Sequence, residues 1–293
     1  MLFLNSQSRH HDDDHDDHDD HGGLHRDLLE TGAAMDRRGM LRLAARFGVA
    51  LGAIPLIGCS SEAATVTGSD TSTGTTGTTT TSGACVAKIP DETAGPYPGD
   101  SSNGPNVLNQ TGVVRSDIRS SFAGLSGTAT GVPLTIQLSI VSASTCSPLA
   151  GYAVYLWHCD RTGNYSLYST GYTNQNYLRG VQAADANGVV RFTSIYPGCY
   201  SGRWPHIHFE VYKSLAAATA VSNKIATSQI AMPLATNNLV YVTSGYEASV
   251  TNQARITLAT DNVFSDGASL ELATITGDNS GYTAALTVAV LAG

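Results

Sequence analysis

From Leu134 to the C-terminus, apolar residues recur at every second position in short runs, and no other feature constrains the fold of this chain as strongly. Residues 134–141 read LTIQLSIV, 189–195 read VVRFTSI and 207–212 read IHFEVY. Further runs occupy 153–158, 228–232, 254–258, 269–275 and 282–290. Successive side chains on a strand point to opposite faces, so such a run offers one apolar face to a core. Turn signals separate the runs: Asp185-Ala-Asn-Gly188, Asp266-Gly267 and Gly277-Asp-Asn279. No long segment carries an apolar stripe of helical period. About eight strands in roughly 200 residues predict an all-β fold, a single β-sandwich over residues 85–293. Long irregular connections such as Tyr165–Gln182 are expected on its surface, where binding sites tend to be built.

The first 84 residues have another character. They hold 12 of the 24 acidic residues and 6 of the 16 basic ones, so the formal charge of −8 shrinks to −2 over residues 85–293. With no basic cluster, a nucleic-acid partner is not expected. Residues 10–21, HHDDDHDDHDDH, lie in a His/Asp-rich leader (1–34) that cannot bury a core and is expected to be disordered. Met35-Asp-Arg-Arg, followed by an uncharged run from Phe47 to Gly58, predicts a signal peptide over 35–59. Arg37-Arg38 resembles a twin-arginine export signal, and Leu56-Ile-Gly-Cys59 resembles a bacterial lipobox with Cys59 as the lipidated residue. Residues 60–84, mostly Ser, Thr, Gly and Ala, read as a flexible linker. The expected location is the bacterial envelope, with membrane contact through the lipid alone.

Four cysteines then remain, Cys85, Cys146, Cys159 and Cys199, an even number that suits an oxidising compartment. Three pairings are possible. Cys146–Cys159, at the ends of neighbouring strands, is the favoured one, which leaves Cys85–Cys199.

The chemistry concentrates in residues 200–211, YSGRWPHIHFEV. His206 and His208 are two apart on a strand and so share a face, the arrangement two imidazoles need to grip one metal ion; Ile207, Phe209 and Val211 take the other. Glu210 lies on the histidine face, so an iron(II) site of two histidines and a carboxylate is one alternative. A non-catalytic surface-binding β-sandwich is another. Upstream lie Trp157-His-Cys-Asp160, Gly163-Asn-Tyr165-Ser and Pro197-Gly-Cys-Tyr200.

The order W-H-x-D, G-x-Y-S, P-G-x-Y and G-R-x-P-H-x-H-F resembles the intradiol ring-cleavage dioxygenases, in particular their exported bacterial branch. The segments CVAKIPDETAGPYPGD, Val113–Arg119 and Phe192–Pro197 are similar too. The resemblance implies a non-haem iron(III) held by Tyr165, Tyr200, His206 and His208. It implies a catechol-type substrate that displaces Tyr200 from the metal, and O₂ as co-substrate, with cleavage to a muconate-type diacid. Two phenolates are hard anionic donors that favour iron(III), and imidazole suits iron generally. By the same resemblance Arg203 stabilises charge on the substrate, and Gln229 assists from the next strand. Trp157 is expected to face a core, with His158 on the opposite strand face. Catechol, protocatechuate, hydroxyquinol and substituted catechols all remain open as substrates.

Overall fold

In the computed structural model, which describes residues 85–292, the alternating runs become eight strands in two four-stranded sheets. The leader, the signal segment with Cys59 and the linker lie outside the described residues. The strands are β1 (Pro133–Ser142), β2 (Ala153–Trp157), β3 (Arg179–Ala183), β4 (Val189–Ile195), β5 (His206–Tyr212), β6 (Lys224–Ala231), β7 (Thr274–Asp278) and β8 (Gly281–Val290). One sheet runs β4-β1-β8-β7 and the other β3-β2-β5-β6. Strand β1 lies antiparallel to β4 and parallel to β8, so the first and last strands sit side by side.

Leu134, Ile136, Leu138 and Ile140 of β1 share one core with Val154 and Leu156 of β2, and with Ile207, Phe209 and Val211 of β5. Burying each such side chain contributes about 1.5–3 kcal/mol, which holds the two sheets face to face as a sandwich requires. Strand β5 is buried along its whole length, because its opposite face is also covered. A second apolar cluster lies there, built from Tyr155 and Trp157 of β2, Val107 and Leu108 from the segment before β1, and Tyr165 from the β2–β3 connection. His206, His208 and Glu210 therefore point into a roofed layer, away from the core between the sheets.

The strand count matches expectation, but two assignments differ. Residues 254–258 form no strand: they follow a short helix, α2 (Glu247–Gln253), which itself follows α1 (Leu234–Val240). Their alternation is real, since Ile256 and Leu258 pack towards Trp204 and Phe264, but no neighbouring strand pairs with them. Conversely β3 arises inside the expected loop, because Val181 is bridged on its far side by Val114 and Gly180 lies tight against Ile118. The fold is thus mostly sheet, with two short helices, rather than wholly β. The run expected at 269–275 narrows to a single bridge from Leu272 to Ala231 before β7 begins.

The cysteine pairing also differs. The structure joins Cys85 to Cys146, with Cα atoms 5.2 Å apart, and leaves Cys159 and Cys199 as buried thiols. Neither Cys146–Cys159 nor Cys85–Cys199 forms. Cys159 and Cys199 belong to separate apolar clusters, and their thiols contact the carbonyls of Gly198 and Arg203. Among the described residues, no helix is long and apolar enough to cross a membrane.

Candidate metal centre

Two backbone contacts assemble the site. Gly163 has φ +90°, a region that side chains rarely adopt, and a Cβ placed there would lie 3.0 Å from the Tyr200 Cβ and 3.4 Å from its Cα. Gly198 abuts the same turn from the other side, where a Cβ would fall 2.6 Å from the Arg161 carbonyl oxygen and 2.8 Å from that of Asp160. The Gly198 amide donates to the Asp160 carbonyl at 3.0 Å. The glycines of G-x-Y and P-G-x-Y thus let two loops touch along their backbones, and that contact brings Tyr165 and Tyr200 to one place. Asp160 shapes its turn by accepting from the Thr162 and Asn164 amides and from the Tyr177 hydroxyl. Arg179 of β3 clamps the residue after Tyr165, donating to the Ser166 hydroxyl and carbonyl, and also binds the Pro98 carbonyl.

Four donor atoms converge. The Nε2 atoms of His206 and His208 lie 3.0 Å apart, and the Tyr200 and Tyr165 hydroxyls lie 3.2 Å and 3.5 Å from His206 Nε2. Donors that each sit about 2.1 Å from one ion lie roughly 3.0–3.4 Å from one another; the His208 and Tyr200 distances to His206 Nε2 fall in that range, and the Tyr165 hydroxyl lies just beyond it. The protonation chemistry agrees. His206 Nδ1 is 2.5 Å from the Trp204 carbonyl, which only accepts, so Nδ1 carries the proton and Nε2 presents its lone pair. His208 stacks on Trp157 at 5.0 Å and 2°, and its buried Nδ1 has no hydrogen-bond partner. Burial, with the nearby Arg203 charge, pushes both histidines well below the usual imidazole range, so both are neutral. Burial and then Tyr200 push the Tyr165 phenol well above its usual value. Two facing imidazole nitrogens beside two phenols, with a buried Nδ1 unsatisfied, fit a cation that would draw all four donors together and supply the drive for phenol ionisation.

Among the described residues, no cluster of three or more His, Cys, Asp and Glu side chains can hold a metal. The His206–His208–Glu210 alternative accordingly does not form: the Glu210 carboxylate accepts from Lys224 and from the Tyr212 hydroxyl.

Arg203 is wholly buried beside this centre, its Nη2 donating to Gln229 Oε1 at 2.8 Å. Gln229 pairs across from His208 in the sheet, and its amide nitrogen donates to the Thr93 carbonyl. His158 is buried and neutral, burial pushing it down to about 4, with contacts to the Ser194 hydroxyl and the Cys159 carbonyl. Trp157 faces the roofed cluster and not the core between the sheets. Sequence reasoning missed Asp261, which binds Arg203, as well as Arg179 and Tyr97, whose ring lies 4.9 Å from that of Tyr165. Asp261 and Arg179 stand outside the sequence motifs, and Tyr97 lies in the similar segment 85–100, where the resemblance implies no role for it. A separate cavity of about 740 Å³ lies against Trp204, Leu234, Tyr241, Val242 and Ile256, and none of the four donors lines it.

Residues 103–218 match the family described as Dioxygenase. Among solved structures, the chain is similar to an intradiol ring-cleavage dioxygenase from Tetranychus urticae, with 25% identity over 70% of this chain and 95% of that one at a TM-score of 0.56. A second solved dioxygenase matches at 26% identity, with the same coverage and a TM-score of 0.55. No curated protein sequence matches. The family match and these two solved structures together support an enzyme of the intradiol ring-cleavage dioxygenase type.

Proposed function

We propose that the chain is a non-haem iron(III) dioxygenase that cleaves a catechol-type ring between its hydroxyl-bearing carbons, giving a muconate-type dicarboxylic acid. The convergence of two phenol oxygens and a second imidazole nitrogen to within 3.5 Å of His206 Nε2 carries this reading. Tyr165, Tyr200, His206 and His208 would hold the ion, which when bound supplies a Lewis acid that ionises the catechol and activates its ring towards O₂. Both oxygen atoms enter the product, so no separate reductant is consumed.

The residues divide the remaining work. Tyr165 is buried whereas Tyr200 is only partly so, which makes Tyr200 the ligand that substrate reaches and its phenolate oxygen the acceptor for a substrate hydroxyl proton. Arg203 supplies a fixed positive charge for the negative charge that builds on a substrate oxygen, in a layer from which water is excluded. Gln229 holds Arg203 from its Nη2 side. Export and lipid attachment at Cys59 belong to the same proposal, and the Cys85–Cys146 disulfide suits the oxidising compartment they imply.

The test is to purify residues 60–293, measure iron, record the visible spectrum and add catechols. A visible tyrosinate-to-iron band that shifts on anaerobic catechol, followed by a muconate on admitting O₂, is expected. A colourless, iron-free protein indifferent to every catechol would overturn the assignment.

A further inference from the structure

We infer that Asp261 is the positioning residue that fixes the Arg203 guanidinium in its working orientation; the inference rests on the role proposed for Arg203. Both side chains are fully buried, 58 residues apart in sequence. Arg203 Nε donates to Asp261 Oδ2 at 3.0 Å, and Nη2 approaches Oδ1 at 3.4 Å. Nη2 also donates to Gln229 Oε1 at 2.8 Å. A guanidinium is a rigid plane, so a carboxylate on one edge and an amide oxygen beside it set both its position and its tilt.

The same carboxylate controls the backbone on each side. Oδ2 accepts the Trp204 amide at 2.6 Å, which fixes the chain immediately after Arg203. Oδ1 accepts the Val263 and Phe264 amides at 2.9 Å and 3.1 Å, and the Phe264 ring in turn meets the His206 ring edge-on at 6.4 Å. One side chain therefore references the arginine, its own strand lead-in and a wall of the histidine site to a single point. It also gives a buried cation its counter-charge, without which the guanidinium would be left uncompensated in an apolar layer.

Asp261→Asn tests this, because no orientation of the amide replaces the carboxylate. With its oxygen towards Val263 and Phe264, its NH₂ meets the Trp204 and Arg203 donors; flipped, it meets the loop amides. In iron-loaded Asp261→Asn, the visible band, iron content and KM for catechol are expected to stay close to wild type. Its kcat should fall about 10- to 100-fold, the usual effect of losing a partner that orients a functional group. In an Arg203→Lys background, the same substitution should cost less than about threefold, since its effect passes through Arg203. An unchanged kcat, or a full multiplicative loss in that background, would overturn the inference. A second readout needs neither metal nor turnover. In ¹⁵N-arginine spectra of the metal-free full chain, the Arg203 Nε–H is expected to be protected from solvent exchange in wild type and in Asp261→Glu. Exchange as fast as that of exposed Arg191 in wild type would refute the clamp even if the variants fail to fold. Wild type that turns over no catechol but protects this proton would instead sink the functional proposal and leave the clamp standing.

Discussion

Gly163→Ala separates two terms that the structure distinguishes. The first is conformational: holding a non-glycine residue at φ +90° costs about 1–3 kcal/mol. The second is contact, since the new Cβ would sit 3.0 Å from the Tyr200 Cβ and force one loop back by a few tenths of an ångström; overpacking of this kind adds about 1–3 kcal/mol. Gly171 supplies the control. It has φ +83° and nothing within 4 Å of where a Cβ would stand, so Gly171→Ala carries the first term alone. For a domain of this size each kcal/mol lowers Tm by about 2–4 °C, which puts Gly171→Ala roughly 2–12 °C below wild type and Gly163→Ala several degrees lower still. Because the displaced residue is Tyr200, Gly163→Ala should also weaken iron retention against a chelator and shift the visible band, whereas Gly171→Ala should do neither. Thermal melts and chelator competition on both variants measure this. Equal melting points with identical spectra would show that the Gly163–Tyr200 contact does not position the phenol.

The other expected outcomes follow from single features. Tyr200→Phe should alter the visible band and slow turnover with the fold intact, as judged by an unchanged far-ultraviolet spectrum. Gly198→Ala should be more disruptive than Gly163→Ala, because its Cβ meets backbone carbonyls at 2.6 Å and 2.8 Å that have no side-chain freedom to yield; soluble yield and Tm report it. Residues 60–293, denatured without reductant, should expose two titratable thiols, Cys159 and Cys199, and none when native. Reducing the Cys85–Cys146 bond, which spans 61 residues, should lower stability by up to about 4 kcal/mol in a denaturant titration. Asp185 accepts the Val189 and Asn187 amides, which hold its carboxyl below the usual range. A depressed folded-state value gives stability that is present above about pH 4 and lost as pH falls through that value. The gap between wild type and Asp185→Asn should therefore be open at neutral pH and close in acid.

Much of the site was legible in one dimension because its parts are local. Period-two spacing places His206 and His208 on one face of β5 whatever surrounds it, and their neighbours Ile207 and Phe209 must then face the core. The tyrosines were reachable through short motifs whose glycines mark the contact between their loops. Strand β3 was not legible: Arg179-Gly180-Val-Gln has no alternation, and it is a strand because β2 and the 113–118 segment flank it. Residues 254–258 erred the other way, alternating like a strand where no partner is in reach.

The sequence alone therefore determined what a few adjacent residues decide between themselves: strand period, which side chains share a face, where turns fall, and which residue types are available to bind a metal. Tertiary structure decided what depends on distant segments meeting. It paired Cys85 with Cys146, and it set Asp261 against Arg203 across 58 residues. It also closed the donors of Tyr165, Tyr200 and His208 to within 3.5 Å of His206 Nε2. Such contacts leave no local trace, because the energy that selects them comes from burial and desolvation in the assembled layers and not from the conformational preference of any one stretch.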